Sequence, residues 1–330
     1  MKIEWNKVVV DGKEYKIQDA VEKMTVPDCF VLPANKIWWG HWEAKFYIGN
    51  EWEELRNFFG WKGFSIQCFL SKEDLIKYLD ECKTEYKKPE QPYKKAENMP
   101  ELREERSKKI AEMDDIIQFT LNEQTQIAWP RVYVNSEDDA YHLIRELSLP
   151  NITYLSALKL QDSEGNFVYY FRLFVDYFWE EEHPYEIEKQ EQEIQQEVTK
   201  TDEEKKQMIT ARKWQWKYRE ELLKLCPFCP ITMISDDRLL IASHIKPRAH
   251  SNDTEKIDPR NWFMFTPTFD LLFDRWYMTF SPDKEMIISP WISKMTCSKL
   301  NITPGAKVPL LPIEWREKYM EYHREHIFKG

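Results

Sequence analysis

Four side chains in the segment 225–280 could carry out chemistry together: His244, Asn261, Asp270 and Asp274. A neutral imidazole, with an ordinary pKa of about 6.5, can accept a proton from water at neutral pH. Carboxylate and amide oxygens suit a hard cation such as Mg²⁺, which keeps several of its own waters. A base and a divalent cation are the two groups that hydrolysis of a phosphodiester needs. The residue types therefore indicate metal-assisted hydrolysis.

The elements that must position these groups follow the order strand, loop, strand, helix. The apolar run over residues 238–247 (RLLIASHIKP) predicts a strand that leads to a turn, and the residues 248–260 that follow are polar. Residues 262–265 (WFMF) predict a second strand, and Thr266-Pro267 predicts the start of a helix. Packing this helix on the two strands would bring the imidazole, the amide and the carboxylate together from different elements.

Several blocks of this segment, taken in order, resemble one known family. The run ASHIKP at 242–247, then Asn261, then DLLFD at 270–274 resembles the HNH nucleases, in the branch common among restriction-type endonucleases. The resemblance covers about residues 222–300, and the nine-residue spacing from Asn261 to Asp270 matches the family's spacing from Asn to its last His. It implies a ββα-metal fold, a DNA substrate and Mg²⁺ or Mn²⁺ as the cofactor.

The same resemblance implies a role for each motif residue. His244 would be the general base, Asn261 would hold the loop and orient the base, and Asp270 would be a metal ligand. Many HNH enzymes carry an acidic metal ligand directly before the base, and this chain has Ser243 there. The candidate metal ligands are therefore Asp270, Asn261, Ser243 and Asp274.

Basic side chains on both sides of the motif are candidates for binding DNA phosphates. Arg248 stands where the family usually has Trp, which adds a cation. In the segment 212–219 (RKWQWKYR) cations alternate with aromatic rings, which can stack on bases and pair with phosphates. Packing of Trp214 and Trp216 against a neighbouring domain is an equal alternative for that segment. The DNA-binding candidates are Lys246, Arg248, Arg275, Arg212, Lys213 and Lys217.

Two cysteines, Cys226 and Cys229, form a C-x-x-C pair ahead of the motif, where many HNH domains carry half of a zinc site. A structural Zn²⁺ needs four ligands, usually from two such pairs, and no second pair follows Asn261. Cys297 and His250 could complete a site, but at a spacing that no recognised zinc site has. The sequence favours a reduced cysteine pair in a cytosolic protein over a structural zinc.

The pattern of the whole chain predicts an α+β fold. Alternating apolar residues around Asp11-Gly12 and around residues 162–166 (DSEGN) predict two β-hairpins. Helix-capping residues predict one helix from Ser71 to about Cys82 and another over residues 137–147.

Changes in composition along the chain predict five segments. We expect an N-terminal α+β recognition domain over 1–82, and a polar, proline-containing linker over 83–100. A second α+β recognition unit is expected over 101–180 and an acidic helical connector over 181–221. Residues 222–330 would form the nuclease domain.

The formal net charge of −10 does not decide whether the chain binds nucleic acid. Residues 180–206 carry a net charge of −7, whereas residues 231–330 carry +1. Because salt screens charges beyond about 8 Å, a local basic surface can bind phosphates in spite of the total. The chain has only eight glycines and neither glycine-rich phosphate-binding motif. We expect a cytoplasmic protein, because no apolar run reaches the about 20 residues that span a bilayer and the N-terminal residues lack a signal-peptide core.

The N-terminal region offers two further interpretations. Pro27-Asp28 with residues 43–45 (EAK) imitates the PD…ExK metal-nuclease pattern, which is short and degenerate. Tryptophans and a histidine also cluster there, and core packing is the favoured explanation, with a pocket for a flipped base as the alternative. The cluster consists of Trp38, Trp39, His41, Trp42 and Trp52.

Taken together, the sequence predicts a metal-dependent endonuclease of double-stranded DNA, of the type II restriction kind, with specificity set by residues 1–180. A homodimer and a cognate methyltransferase are the partners that such an enzyme implies. One alternative is a modification-dependent or toxin-like HNH nuclease with the same active site. The other is a non-catalytic DNA-binding protein with a decayed HNH fold.

Overall fold

A computed structural model of the chain describes residues 2–4, 6–25, 46–50, 53–89, 98–124, 131–149, 152–175 and 222–330. The chain divides into two compact units. The first comprises residues 1–177 and 290–296, and the second comprises residues 178–289 and 297–330. Both combine helices with strands, so the α+β class predicted from the sequence is confirmed.

The first unit is built on a nine-stranded sheet. Its strands are β1 (Lys2–Glu4), β2 (Lys7–Val10), β3 (Lys13–Thr25), β4 (Phe46–Asn50), β5 (Ser65–Ser71), β6 (Ile116–Gln124), β7 (Arg131–Asn135), β8 (Thr153–Gln161) and β9 (Phe167–Val175). They lie in the order β1-β2-β3-β8-β9-β5-β6-β7-β4. Every neighbouring pair is antiparallel except β5 and β9, which are parallel.

The described part of this unit also contains the helices α1 (Glu53–Phe59), α2 (Lys72–Glu81), α3 (Lys83–Lys87), α4 (Met99–Ala111) and α5 (Asp139–Leu147). Helix α5 shows why they form, since its buried residues 140, 143, 144 and 147 recur at the spacing of one helical face. That face joins a core of aliphatic and aromatic side chains from the sheet and from α1, α2 and α4.

Both predicted hairpins are confirmed. Val10 pairs with Lys13 across a turn in which Asp11 and Gly12 have φ angles of 49° and 78°, the left-handed values that a type I′ turn needs at both positions. Strands β8 and β9 pair from Gln161↔Phe167 onward. The Asp162 carboxylate closes that loop by accepting hydrogen bonds from the backbone N–H groups of Glu164 and Asn166, each at 2.9 Å.

The structure divides the N-terminal half differently from the sequence prediction. Strands from residues 1–82 and from residues 101–180 belong to one sheet and one compact unit, whereas two separate α+β units were predicted. Strand β5 lies between β6 and β9, so it is buried among strands that come later in the chain. The predicted linker over 83–100 also begins with helix α3. Local patterning reveals strands but not their partners, which explains the difference.

Residues 290–296 reach the first unit from the C-terminal part of the chain. Trp291 is fully buried and packs against Tyr170 and Phe174, with ring centroids 5.2 and 5.1 Å away. The backbone N–H of Ser293 donates to the Glu22 carboxylate at 2.8 Å. This short segment therefore completes the core of a unit that is otherwise built from residues 1–177.

The second unit contains two small antiparallel ribbons and short helices. Strands β10 (Ile241–His244) and β11 (Trp262–Phe265) form the first ribbon, and β12 (Met278–Phe280) and β13 (Met286–Ile288) form the second. Helix α6 (Pro267–Asp274) follows β11, and α8 (Glu317–Tyr322) and a π-helical turn (His323–Ile327) follow later. Helix α7 (Lys294–Lys299) begins in the 290–296 segment of the first unit and ends in the second. The predicted order of strand, loop, strand and helix is confirmed.

Helix α6 ends in a backbone hydrogen-bond motif that has a tryptophan where a glycine is usual. Trp276 has a φ of 68°, and its N–H bonds to the Phe273 carbonyl while the N–H of Tyr277 bonds to the Leu272 carbonyl. These are the two hydrogen bonds of a Schellman motif, which usually places Gly at the left-handed position. The helix consequently stops at Asp274, slightly before the end predicted near Trp276.

Three predicted features lie outside the described residues: the connector over 181–221, the aromatic cluster around Trp38 and the PD…ExK pattern. Within the described ranges, no helix is both long and apolar enough to cross a membrane.

One buried histidine lies behind helix α6. The ring of His323 stacks on Phe273 with centroids 4.2 Å apart and planes 3° apart. Its Nδ1 is 2.9 Å from the Thr279 hydroxyl. Burial lowers the pKa of His323 from 6.5 to about 3, with a hydrogen bond to the Phe273 backbone opposing this and the Arg324 cation contributing to it. The ring is therefore neutral in the folded protein at physiological pH.

We expect mild acid to destabilise the protein through His323. Between its folded pKa of about 3 and its unfolded value of 6.5, the unfolded chain binds more protons than the folded one. The stabilisation is complete above pH 6.5 and falls by at most about 1.4 kcal/mol for each pH unit below it. Urea unfolding at about pH 7.5 and about pH 5.5 measures the loss.

His323→Gln removes this titration, so its free energy of unfolding should fall less between the two pH values than that of the unmutated chain. His326→Gln is the matched control, because His326 is exposed and should leave the pH dependence unchanged. An equal fall for His323→Gln and the unmutated chain would contradict the assignment.

Candidate active site

The two faces of the β10–β11 ribbon carry different predicted residues. In the ribbon Ser243 pairs with Phe263, and His244 pairs with Trp262. Ser243 is buried, and its hydroxyl donates to Oδ1 of Asp270 on helix α6 at 2.5 Å. Because successive side chains of a strand alternate between faces, Ser243 contacts the helix and His244 takes the other face. Asp270 therefore meets Ser243, whereas the predicted meeting of the Asp270 carboxylate with the His244 imidazole is not seen as a direct contact between the described residues.

His244 lies against the indole of Trp262, its cross-strand neighbour, with ring planes 37° apart. Its Nε2 is buried and has no hydrogen-bond partner among the described residues. Burial lowers the pKa of His244 to about 3, the Lys256 carbonyl opposes this, and the Arg248 cation adds to it. The imidazole is therefore neutral, but a pKa this far below 7 makes it a weaker proton acceptor than the ordinary imidazole expected from the sequence.

Asn261 is the centre of the loop between the two strands. It is completely buried, and its Oδ1 accepts from the Lys246 N–H at 2.8 Å. Its Nδ2 donates to the carbonyls of Lys246 and Glu255, each at 3.1 Å, and lies 3.4 Å from the Ser251 hydroxyl. The backbone carbonyl of Asn261 also accepts a hydrogen bond from the N–H of Ile245, the residue that directly follows His244. The side chain thus holds both ends of a loop that has no regular strand or α-helix.

The predicted DNA-binding cations differ in how they are placed. Lys246 is half-buried and pairs with Glu255 at 2.7 Å. Arg248 is exposed on the loop after β10, and Arg275 is half-buried just after helix α6. Arg212, Lys213 and Lys217 lie outside the described residues. Of the described candidates, Arg248 is therefore the one with an exposed side chain.

The cysteine pair is buried and reduced. The Cys226 thiol donates to the Phe228 carbonyl at 3.5 Å, and the Cys229 sulfur lies 3.9 Å from the Thr266 hydroxyl. Burial raises the pKa of Cys226, so this thiol is a poor thiolate donor. Among the residues that the structure describes, no group of three or more His, Cys, Asp or Glu side chains is placed to hold a metal ion.

The donor chemistry that remains fits a hard divalent cation better than zinc. Asp270 offers a carboxylate and Ser243 a hydroxyl, both of them oxygen donors on adjoining elements. Mg²⁺ commonly takes one or two carboxylates and completes its shell with waters and substrate phosphate. Asp274 is half-buried at the end of helix α6, and the Asn261 amide is used within the loop.

One residue with a place in this site has no signal in the sequence. Arg316 is buried, and its Nε donates to the Trp262 carbonyl at 3.2 Å, next to the ribbon position opposite His244. Its guanidinium also lies over the Phe263 ring at 5.6 Å. Arg316 follows Asn261 by a long stretch of chain, so no local motif could have identified it.

Comparison with known families gives a match within the C-terminal region. Residues 229–281 match the family described as HNH endonuclease. The C-terminal region resembles an HNH endonuclease domain. The match spans both strands of the ribbon and helix α6, and it supports a nuclease, a hydrolase in general terms. A search of curated proteins finds no match to the chain.

The Asn261 hydrogen bonds predict a large loss of stability when the amide is removed. Asn261→Ala leaves the backbone N–H of Lys246 without its partner and takes one of two hydrogen bonds from each of the Lys246 and Glu255 carbonyls, and an unsatisfied buried group costs about 1–3 kcal/mol. We expect the free energy of unfolding in urea to fall by about 2–4 kcal/mol.

Asn252→Ala is the matched control. Asn252 lies in the same loop, is exposed, and accepts two backbone hydrogen bonds near 3 Å. This control should cost less than about 1 kcal/mol, because water can replace the lost bonds. Equal losses for the two variants would show that Asn261 does not hold the loop.

Proposed function

We propose that this chain is a divalent-metal-dependent DNA endonuclease whose active site is the β10–β11 ribbon with helix α6. The observation that carries the proposal is the Ser243–Asp270 hydrogen bond. It fixes a buried carboxylate under the same strand that ends in His244, within the region that matches the HNH endonuclease family.

In this proposal His244 acts as the general base. Nε2 is the ring nitrogen without a partner among the described residues, so a ring proton on Nδ1 leaves the Nε2 lone pair free to accept a proton from water. Contact with Trp262 restricts the ring, and the Asn261 hydrogen bonds fix the chain that leaves His244. Positioning of this kind lowers the barrier because the base needs no reorganisation.

Asp270 and Ser243 would hold the cation, with Arg248 as the exposed cation nearest in sequence for a DNA phosphate. A bound Mg²⁺ or Mn²⁺ would neutralise charge on the phosphate and on the leaving oxygen. The charge on Asp270 would attract the ion, and the Ser243 hydroxyl would keep the carboxylate oriented.

The wider function proposed for the chain is that of a restriction-type enzyme. Residues 1–180 would recognise the DNA sequence. The active-site residues would contact the DNA phosphates, and phosphate contacts do not distinguish one base from another. A homodimer would cut both strands, a methyltransferase would protect the host DNA, and both would work in the cytoplasm.

A second candidate function is DNA binding without cleavage. It is favoured by the burial of Asp270, which is 1% exposed. The described residues also lack a cluster of three metal-binding side chains. In that case the HNH-like domain would be a decayed nuclease that keeps its fold.

A cleavage assay with His244→Ala separates these functions. Removal of a general base should lower the cleavage rate on plasmid DNA with Mg²⁺ by about 100-fold or more. DNA affinity should stay nearly unchanged, because His244 is not one of the predicted phosphate contacts. His326→Ala replaces an exposed histidine and should cut at the unmutated rate.

Two results would overturn the proposal. One is cleavage by His244→Ala at the unmutated rate, which would exclude His244 as the base. The other is DNA binding without cleavage by the unmutated chain over a range of Mg²⁺ and Mn²⁺ concentrations, which would establish the non-catalytic function.

The role proposed for Asp270 predicts a shift in metal requirement. Asp270→Asn keeps the shape and an oxygen that can accept from Ser243 but removes the charge. The Mg²⁺ concentration for half-maximal cleavage should rise by about tenfold or more. Asp283→Asn is the control, on the exposed turn between β12 and β13, and should leave that Mg²⁺ concentration unchanged. If Asp270→Asn needs no more Mg²⁺ than the unmutated chain, Asp270 does not bind the metal.

A further inference from the structure

A cavity of about 1070 Å³ opens on the first unit, at the end of helix α1 and along strands β5, β8 and β9. Two aromatic side chains in its lining are unusually exposed: Trp61 at 87% and Phe167 at 47%. Large exposed aromatic surfaces are uncommon on a free protein surface and often mark a binding site. Phe59, Phe64 and Tyr169 form an aromatic floor of stacked rings.

The loop that carries Trp61 is fixed by hydrogen bonds to the carboxylate of Glu123. The two terminal nitrogens of the Arg56 guanidinium donate to the Glu123 carboxylate, at 2.8 and 3.0 Å. The same carboxylate accepts from the N–H of Gly63 at 2.6 Å. Gly63 has a φ of 83°, a left-handed value that favours glycine. The exposed indole therefore sits on a fixed loop, which reduces the entropy lost when a ligand binds.

The charges in the cavity favour an anionic ligand. Arg56 is neutralised by Glu123, whereas Lys62 and Lys159 have no ion-pair partner within the described part of the chain. The Lys159 ammonium lies 4.4 Å from the centre of the Phe167 ring and donates to the Asn57 carbonyl at 2.7 Å. Glu53 is the acidic residue in the lining. Two cations beside two exposed rings match a flat aromatic group attached to phosphate.

We propose that this cavity binds a nucleotide of DNA whose base is unstacked from its neighbours, with the base on Trp61 or Phe167 and phosphates at Lys62 and Lys159. The ligand class rests on the proposed function, because DNA is the polymer that the C-terminal domain would cut. Aromatic stacking accepts every base and cations pair with phosphate, so this is the chemistry by which proteins hold single-stranded or flipped nucleotides.

The test measures binding of the full chain, with His244→Ala added to prevent cleavage, by fluorescence anisotropy. The probes are a labelled duplex with one unpaired nucleotide and the fully paired duplex of the same sequence. The chain should prefer the first duplex, and Trp61→Ala should lower affinity for it by about 5- to 100-fold, the range for one base–aromatic stack. Lys62→Gln should weaken binding to both duplexes.

Matched variants separate binding from folding. Trp61→Phe keeps an aromatic face and should keep most of the affinity for the unpaired nucleotide. Lys77→Gln replaces an exposed lysine on helix α2, outside the cavity lining, and should bind both duplexes normally. Because Trp61 is exposed, thermal unfolding of Trp61→Ala should match that of its parent.

Two results would overturn the proposal in distinguishable ways. Unchanged binding of both duplexes by Trp61→Ala and Lys62→Gln, with DNA cleavage intact in the chain that has His244, would reject the cavity and leave the nuclease proposal standing. Failure of the unmutated chain to bind or cut any DNA would reject both proposals.

Discussion

The hydrogen bond from Ser243 to Asp270 is the interaction on which the candidate active site depends. Both groups are buried, and a buried carboxylate is tolerated only when a donor satisfies it. The bond also crosses from strand β10 to helix α6, so it fixes the helix on the ribbon at the position of the predicted metal ligand. Stability and chemistry therefore make opposite demands on Asp270: folding needs its oxygens bonded inside the protein, whereas a metal ion needs one of them open.

Other residues of the second unit stabilise this contact between strand β10 and helix α6. Phe263, Phe265, Phe273 and Phe280 pack against one another beneath the ribbon and the helix. His323 extends that aromatic packing behind the helix. Asn261 then closes the loop by polar contacts alone. The site is thus fixed by an apolar floor, a buried amide and one hydroxyl–carboxylate bond, which together leave His244 at the end of its strand.

Much of the local structure followed from the sequence because its causes are local. Asp11-Gly12 needs left-handed backbone, and the loop at Asp162 needs a carboxylate that caps its own N–H groups, so both hairpins could be predicted. The strand, loop, strand and helix around His244 followed from apolar runs bounded by Pro and polar residues. The spacing of Asn261 and Asp270 led to the HNH resemblance, and the family match covers that same region.

Features that depend on distant contacts could not be predicted in this way. Strand β5 lies between β6 and β9, and Trp291 enters a core built by residues 1–177, because strand pairing and burial are decided by the whole fold. The opposite faces of Ser243 and His244 followed only from the observed register. Arg316 and the cavity around Trp61 have no local signature, since each acts through neighbours far away in the chain.

The most direct measurement is a crystal structure of the His244→Ala chain with DNA and Mn²⁺, in which anomalous scattering locates the metal. The account predicts one Mn²⁺ on the Asp270 carboxylate, with a DNA phosphate oxygen bound to the same ion beside residue 244. A metal held by other residues, or DNA bound with no metal while Ser243 and Asp270 stay bonded to each other, would contradict it.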